Sequence, residues 1–166
     1  MRAKFAASVA ALLLLAATAA AQTKPNFAGT WVLDASKSDL GMMQGVEETM
    51  TVKQDGDKIT VESKMKSPRG ERMMNMDLTA DGKEGPFTMR MGPNETTGKR
   101  TAKWSADGSA LEVTETADIQ TPDGGTASIK NWRKWTLSAD GKTLTAEESR
   151  TSPRGEQKTK RVYTKQ

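Results

Sequence analysis

Residues 55–71 read DGDKITVESKMKSPRGE, and 85 positions later residues 140–156 read DGKTLTAEESRTSPRGE, aligned without a gap and identical at nine positions. In each copy a short alternating run lies between an Asp-Gly pair and a Pro-x-Gly turn. Ile59, Val61, Ser63 and Met65 share one face in the first copy; Leu144 and Ala146 occupy the matching places in the second. Period-two alternation bounded by turns that need a positive φ is the pattern of antiparallel hairpins. A unit of about half the chain, used twice, is too long and too few for a solenoid.

The same pattern runs outward in both directions. Phe27, Gly29, Trp31 and Leu33 alternate on a first strand, and Val46, Glu48, Met50 and Val52 on a second. Strands follow at 58–65, 71–79, 87–91, 99–104, 110–119, 126–137, 143–150 and 156–164, while 92–98 reads as a loop and 34–45 has room for one helical turn. About ten short strands with no helix to cover a face must hide their edges, and closure removes edges altogether. The expected fold is therefore an all-β, up-and-down antiparallel barrel of about ten strands, a single lipocalin-like domain over 22–166. A barrel of that strand number can hold a small ligand.

The repeat also orients the side chains. At the same offset Met74, Met76 and Leu78 fall on Thr159, Arg161 and Tyr163, and Met50 and Val52 on Trp135 and Leu137, a face that continues back through Arg133 and Asn131. Arg161 and Arg133 thus occupy core-facing positions, where a charge needs a carboxylate from the protein or from a ligand. Glu115 and Glu148 share the inward parity and are candidate internal partners. Trp132 has the outward parity.

Composition narrows the function. Residues 1–21 have a basic start (Arg2, Lys4), an apolar run with Leu12 to Leu15, and Ala19-Ala20-Ala21 before Gln22, the form of a cleaved export leader of the bacterial type. Without it, 23 basic residues stand against 21 acidic ones, interspersed, which leaves no nucleic-acid footprint. The expectation is an exported protein, periplasmic or secreted, monomeric, and without a membrane span. The chain has no histidine and no cysteine. That removes the Ser-His-Asp triad, the thiolate nucleophile, the usual zinc or haem ligands and any disulfide. An enzyme would have to rely on inward carboxylates. No cofactor is expected. Met74, Met76, Met89 and Met91 form a thioether cluster that offers a Cu(I) site as one reading and adaptable apolar filling as the other.

Two terminal pieces carry a family resemblance. Phe27-Ala-Gly-Thr-Trp31 resembles the glycine-x-tryptophan opening of the calycin group, the lipocalins and fatty-acid-binding proteins. Lys160-Arg-Val-Tyr163 resembles the closing strand of the latter, where an arginine-x-tyrosine pair holds a ligand carboxylate. The resemblance implies a binding protein for a small hydrophobic or amphipathic molecule, with Arg161 and Tyr163 as ligand residues, Arg133 as a second arginine, and Asn131 beside it. It gives Gly29 and Trp31 the role of closing the barrel end. Arg161 has a second reading, as the cation packed over the Trp31 ring. A barrel filled by its own side chains, serving a structural or partner-binding role, is the alternative without a ligand.

Overall fold

The structure, a computed structural model, describes residues 24–68, 70–91, 94–121 and 124–166, and of Arg90, Met91 and Asn94 the backbone alone. The leader read over 1–21 lies outside the described residues.

Ten strands follow one another in the chain: β1 (Gly29–Leu33), β2 (Glu47–Asp55), β3 (Lys58–Ser67), β4 (Gly70–Thr79), β5 (Asp81–Met91), β6 (Asn94–Trp104), β7 (Ala110–Gln120), β8 (Thr126–Leu137), β9 (Thr143–Ser152) and β10 (Gly155–Lys165). All neighbours are antiparallel, in the order β4-β3-β2-β1-β10-β9-β8-β7-β6-β5. The first strand pairs with the last, Trp31 opposite Lys165 and Leu33 opposite Tyr163, so the sheet curls into a barrel with one seam, between β4 and β5. The only helical piece among the described residues is a 3-10 turn at Ala35–Lys37, capped by the Asp34 carboxylate. Asp39 bridges to Lys160 and carries the β1–β2 connection along β10.

Both repeat copies are hairpins of identical register. Ile59 faces Leu78 and Ser67 faces Gly70 in β3–β4; Leu144 faces Tyr163 and Ser152 faces Gly155 in β9–β10. Gly70 and Gly155 both take positive φ, 115° and 105°, which a side chain would strain. The strand before each copy slips by two residues. Met65 faces Glu48, whereas Arg150, its repeat mate, faces Asn131 rather than Arg133. A slip of two keeps the parity, so the inward face is unchanged.

One expectation needs correction. Residues 92–98, rich in turn formers, read as a loop, yet β6 begins at Asn94 and Gly98 pairs with both Phe87 and Ala117. A methyl group on Gly98 would overlap the Phe87 ring and the Thr116 carbonyl. The glycine is the space into which that ring packs, not a turn.

The end of the barrel that holds the β2–β3 turn is closed by apolar side chains. Phe27 and Trp31 are fully buried, with Ile59, Leu111 and Leu144 around them. Phe27 stacks on Trp104 at 6.1 Å and meets Trp135 edge-on at 5.7 Å. Trp31 Nε1–H donates to the Phe27 carbonyl at 2.8 Å, which satisfies its buried donor. Beneath the plug, Trp104 Nε1–H donates to Asp57, which also pairs with Lys24.

Candidate functional site

Above this plug the strands enclose a cavity of about 770 Å³, open at the end of the β3–β4 and β9–β10 turns. Its apolar lining includes Met50, Val61, Phe87, Trp135 and Ala146. The repeat explains the floor: these strands alternate inward apolar residues with outward polar ones, so one face of each supplies the lining.

Higher on the wall the inward positions are charged, and they join into one chain. Arg100 Nη2 lies 2.7 Å from Glu115 Oε1, and Glu115 Oε2 lies 3.8 Å from Arg133 Nη2. Arg133 Nε lies 3.2 Å from Glu148 Oε1, and Glu148 Oε2 lies 3.6 Å from Arg161 Nη2. Arg161 Nη1 lies 3.1 Å from Glu48 Oε2. Three arginines and three glutamates alternate across β6, β7, β8, β9, β10 and β2 and cancel in charge. Asn131 Nδ2 adds a long 3.4 Å contact to Glu115.

Glu48 ends the chain and accepts from three side chains. Ser63 Oγ–H donates to its Oε1 at 2.5 Å, and Tyr163 O–H donates to its Oε2 at 3.0 Å beside the Arg161 bond. Glu48, Arg161 and Tyr163 are all buried. The arginine-x-tyrosine pair of the last strand therefore grips a carboxylate belonging to the protein itself. Burial alone pulls the Arg161 pKa down, but Glu148, Tyr163 and Glu48 outweigh it and push it up, so the guanidinium stays charged. Burial, then Glu48, pushes the Tyr163 phenol up, against the opposing pull of Arg161.

The structure brings Arg161, Tyr163, Arg133 and Asn131 to the cavity wall together. Sequence reasoning placed Glu115 and Glu148 as internal partners, and both pair so. It missed two members. Glu48 stood on the inward face of its strand beside Met50 and Val52, but its partner Arg161 is 113 residues away. Arg100 shares the parity of the inward Ala102, a signal that was available. The cation over Trp31 is Lys165, at 5.1 Å, and not Arg161, which the glutamates hold elsewhere. Gly29, at φ +141°, leaves room for the Lys165 stem that covers the ring.

The methionines divide. Met76 is half-buried and its sulfur faces Arg133 Nη1 at 3.4 Å, while Met73 and Met74 are 67% and 50% exposed. Met74 and Met89 line the same cavity, and the Met91 side chain lies outside what is described. Met74 has the inward parity but sits on β4, beside the seam, where no neighbouring strand covers it. Among the described residues no group of three or more acidic side chains could hold a metal ion.

No protein-family model matches the chain, and no curated protein matches its sequence. Among solved structures, the zebrafish ileal bile acid-binding protein complexed with cholic acid matches with a TM-score of 0.52 at 14% identity, covering 84% of this chain and 98% of that one. The fold is that of the fatty-acid-binding proteins. At this identity the match carries the architecture: ten antiparallel strands, the first closing on the last, around an open interior. The β1–β2 connection of this chain holds a single 3-10 turn, as the room for one helical turn over 34–45 predicted. No described helix is long and apolar enough to cross a membrane.

Proposed function

We propose that this chain is a non-catalytic binding protein for a small hydrophobic or amphipathic molecule, exported by its leader to the periplasm or beyond. The observation that carries the reading is the cavity: about 770 Å³ with an apolar floor and an open mouth. That lies within the range of small-molecule sites, which are mostly apolar with a few fixed polar groups. The neighbour of like fold is itself a bile acid-binding protein.

A catalytic reading has little support from the carboxylates. Each of Glu48, Glu115 and Glu148 is engaged by an arginine, so none stands as a free base over the cavity. Arg161 and Tyr163 contribute to the wall by holding Glu48. A carboxylate ligand would have to displace Glu48 to reach them, and would leave that glutamate buried and unpaired.

Native mass spectrometry of the protein purified from its own host tests the reading. The expected result is a mature chain beginning at Gln22 in the exported fraction, carrying a small apolar adduct that organic extraction removes. A chain that retains residues 1–21 would refute the export, and a barrel that neither carries nor takes up any apolar probe would refute the carrier.

A further inference from the structure

Eight charged side chains line the cavity among the described residues, and six of them are the neutral arginine–glutamate chain. The two left over have the same sign. Arg72, on β4, and Arg150, on β9, are exposed, and their side chains make no ion pair or hydrogen bond with any described residue. Their cross-strand neighbours explain why. Arg72 faces Met65, and Arg150 faces Asn131 on one side and Gln157 on the other. None of the three is acidic.

Both arginines have the inward parity near the open-end turns, Arg72 two residues after Gly70 at the start of β4 and Arg150 two residues before Ser152 at the end of β9. In the ten-strand order β4 and β9 are five steps apart, so the cations stand on opposite walls of the mouth. The cavity is thus apolar at its floor, neutral in its belt and doubly positive at its rim. Low-dielectric walls concentrate the field of such a rim over the opening.

We infer that the ligand is an acidic amphiphile, held tail inward, with its anionic group outside the belt and met by Arg72 and Arg150. This rests on the carrier reading above and adds the ligand's charge and direction. Entering tail first, the molecule buries its apolar part against Met50, Val61 and Trp135 and leaves the Glu48–Arg161–Tyr163 cluster undisturbed. Its acid keeps partial hydration, so desolvation costs little. Guanidinium groups suit the head, since their planar fork matches a carboxylate, sulfonate or phosphate.

The test is fluorescence titration of the purified mature protein with two probes, a pyrene-labelled long-chain carboxylic acid and the primary alcohol of the same skeleton. The wild-type chain should bind the acid about five- to tenfold more tightly than the alcohol, a preference that shrinks as salt is added. In the double variant R72Q/R150Q that preference should vanish while affinity for the alcohol holds. Each single variant should lose part of it. Equal binding of acid and alcohol by the wild type would overturn the inference and leave the carrier reading standing. A preference that survives in R72Q/R150Q would overturn it too, by placing the acid inside the belt. An equal drop for both probes in the double variant would also overturn it, because the loss would then not be one of charge. Binding of neither probe by the wild type would overturn the carrier reading and this inference together.

Discussion

The two repeat hairpins share one backbone and differ in what they point inward. In β3–β4 the inward residues are Ile59, Val61 and Ser63, then Met76 and Leu78; at the same places β9–β10 carries Leu144, Ala146 and Glu148, then Arg161 and Tyr163. The turns match in geometry, Ser67 Oγ–H reaching the Gly70 carbonyl and Ser152 Oγ–H the Gly155 carbonyl. Turn and outward residues thus keep the frame, and the inward places are free to change chemistry. The charged set sits on β10, which is paired on both sides, and the methionine set on β4, which borders the seam. Burial follows: β10 has three consecutive buried residues, β4 only Leu78. A charge was placed where neighbours could answer it from both sides, and adaptable thioethers where they could not.

The largest effect should come from removing the answer. Glu48→Leu leaves Arg161, Tyr163 and Ser63 without their shared acceptor, and one broken buried pair costs about 3–5 kcal/mol. For a domain of this size that lowers the melting temperature by about 10 °C. Arg161→Met, which gives β10 the residue β4 carries at Met76, should cost less alone, and should return more than half the loss when combined with Glu48→Leu. Simple addition of the two losses in thermal melts would mean that the hairpins differ in name only, with no coupling through Glu48.

A second difference titrates. Tyr163 replaces Leu78, and its folded pKa is raised above the ordinary value near 10. A group raised on folding contributes stability that is fully present below its unfolded pKa and lost as pH climbs beyond it. Stability should therefore decline above pH ~10. Because Tyr163 is the only tyrosine in the chain, phenolate absorbance reports on it alone. It should appear only as the barrel unfolds, and phenolate formed near pH 10 with circular dichroism intact would contradict the burial.

The smallest effect belongs to the seam side. Met74→Thr installs the residue found at Thr159, and since Met74 is half-exposed, stability should move by less than about 0.5 kcal/mol in urea unfolding. A loss comparable to that of Glu48→Leu would show that β4 is packed as tightly as β10.

These residues also mark what a single sequence discloses. Alternation and turn chemistry are local, so most of the strands, the short 3-10 turn and the inward parity of Arg161 and Arg133 could be read directly, while β5 and β6 each begin several residues earlier than the alternation indicated. Partners are not local. Glu48 and Arg161 meet only because β1 carries the first half of the barrel round to the last strand, and no window of sequence contains both. Parity says which face a side chain takes and nothing about what stands opposite, which is why Met74 looked as internal as Met76. Gly98 misled for a related reason: the ring that needs its space comes from another strand.

Every pairing in the sheet but one joins strands adjacent in sequence, and the exception is β1 with β10. Eight hairpin contacts can zip up over short loops, each with a modest entropy cost, whereas the ninth must bring together segments separated by nearly the whole chain. That junction spans only three residue pairs, Trp31 to Leu33 against Lys165 to Tyr163. The strand made first on the ribosome thus waits for the strand made last. Until β10 emerges, the curled sheet lacks both its final staple and the arginine that neutralises Glu48. A chain shortened at its C-terminal end is consequently not a smaller barrel but an unclosed one, with the edge of β1 and an uncompensated carboxylate exposed at the break.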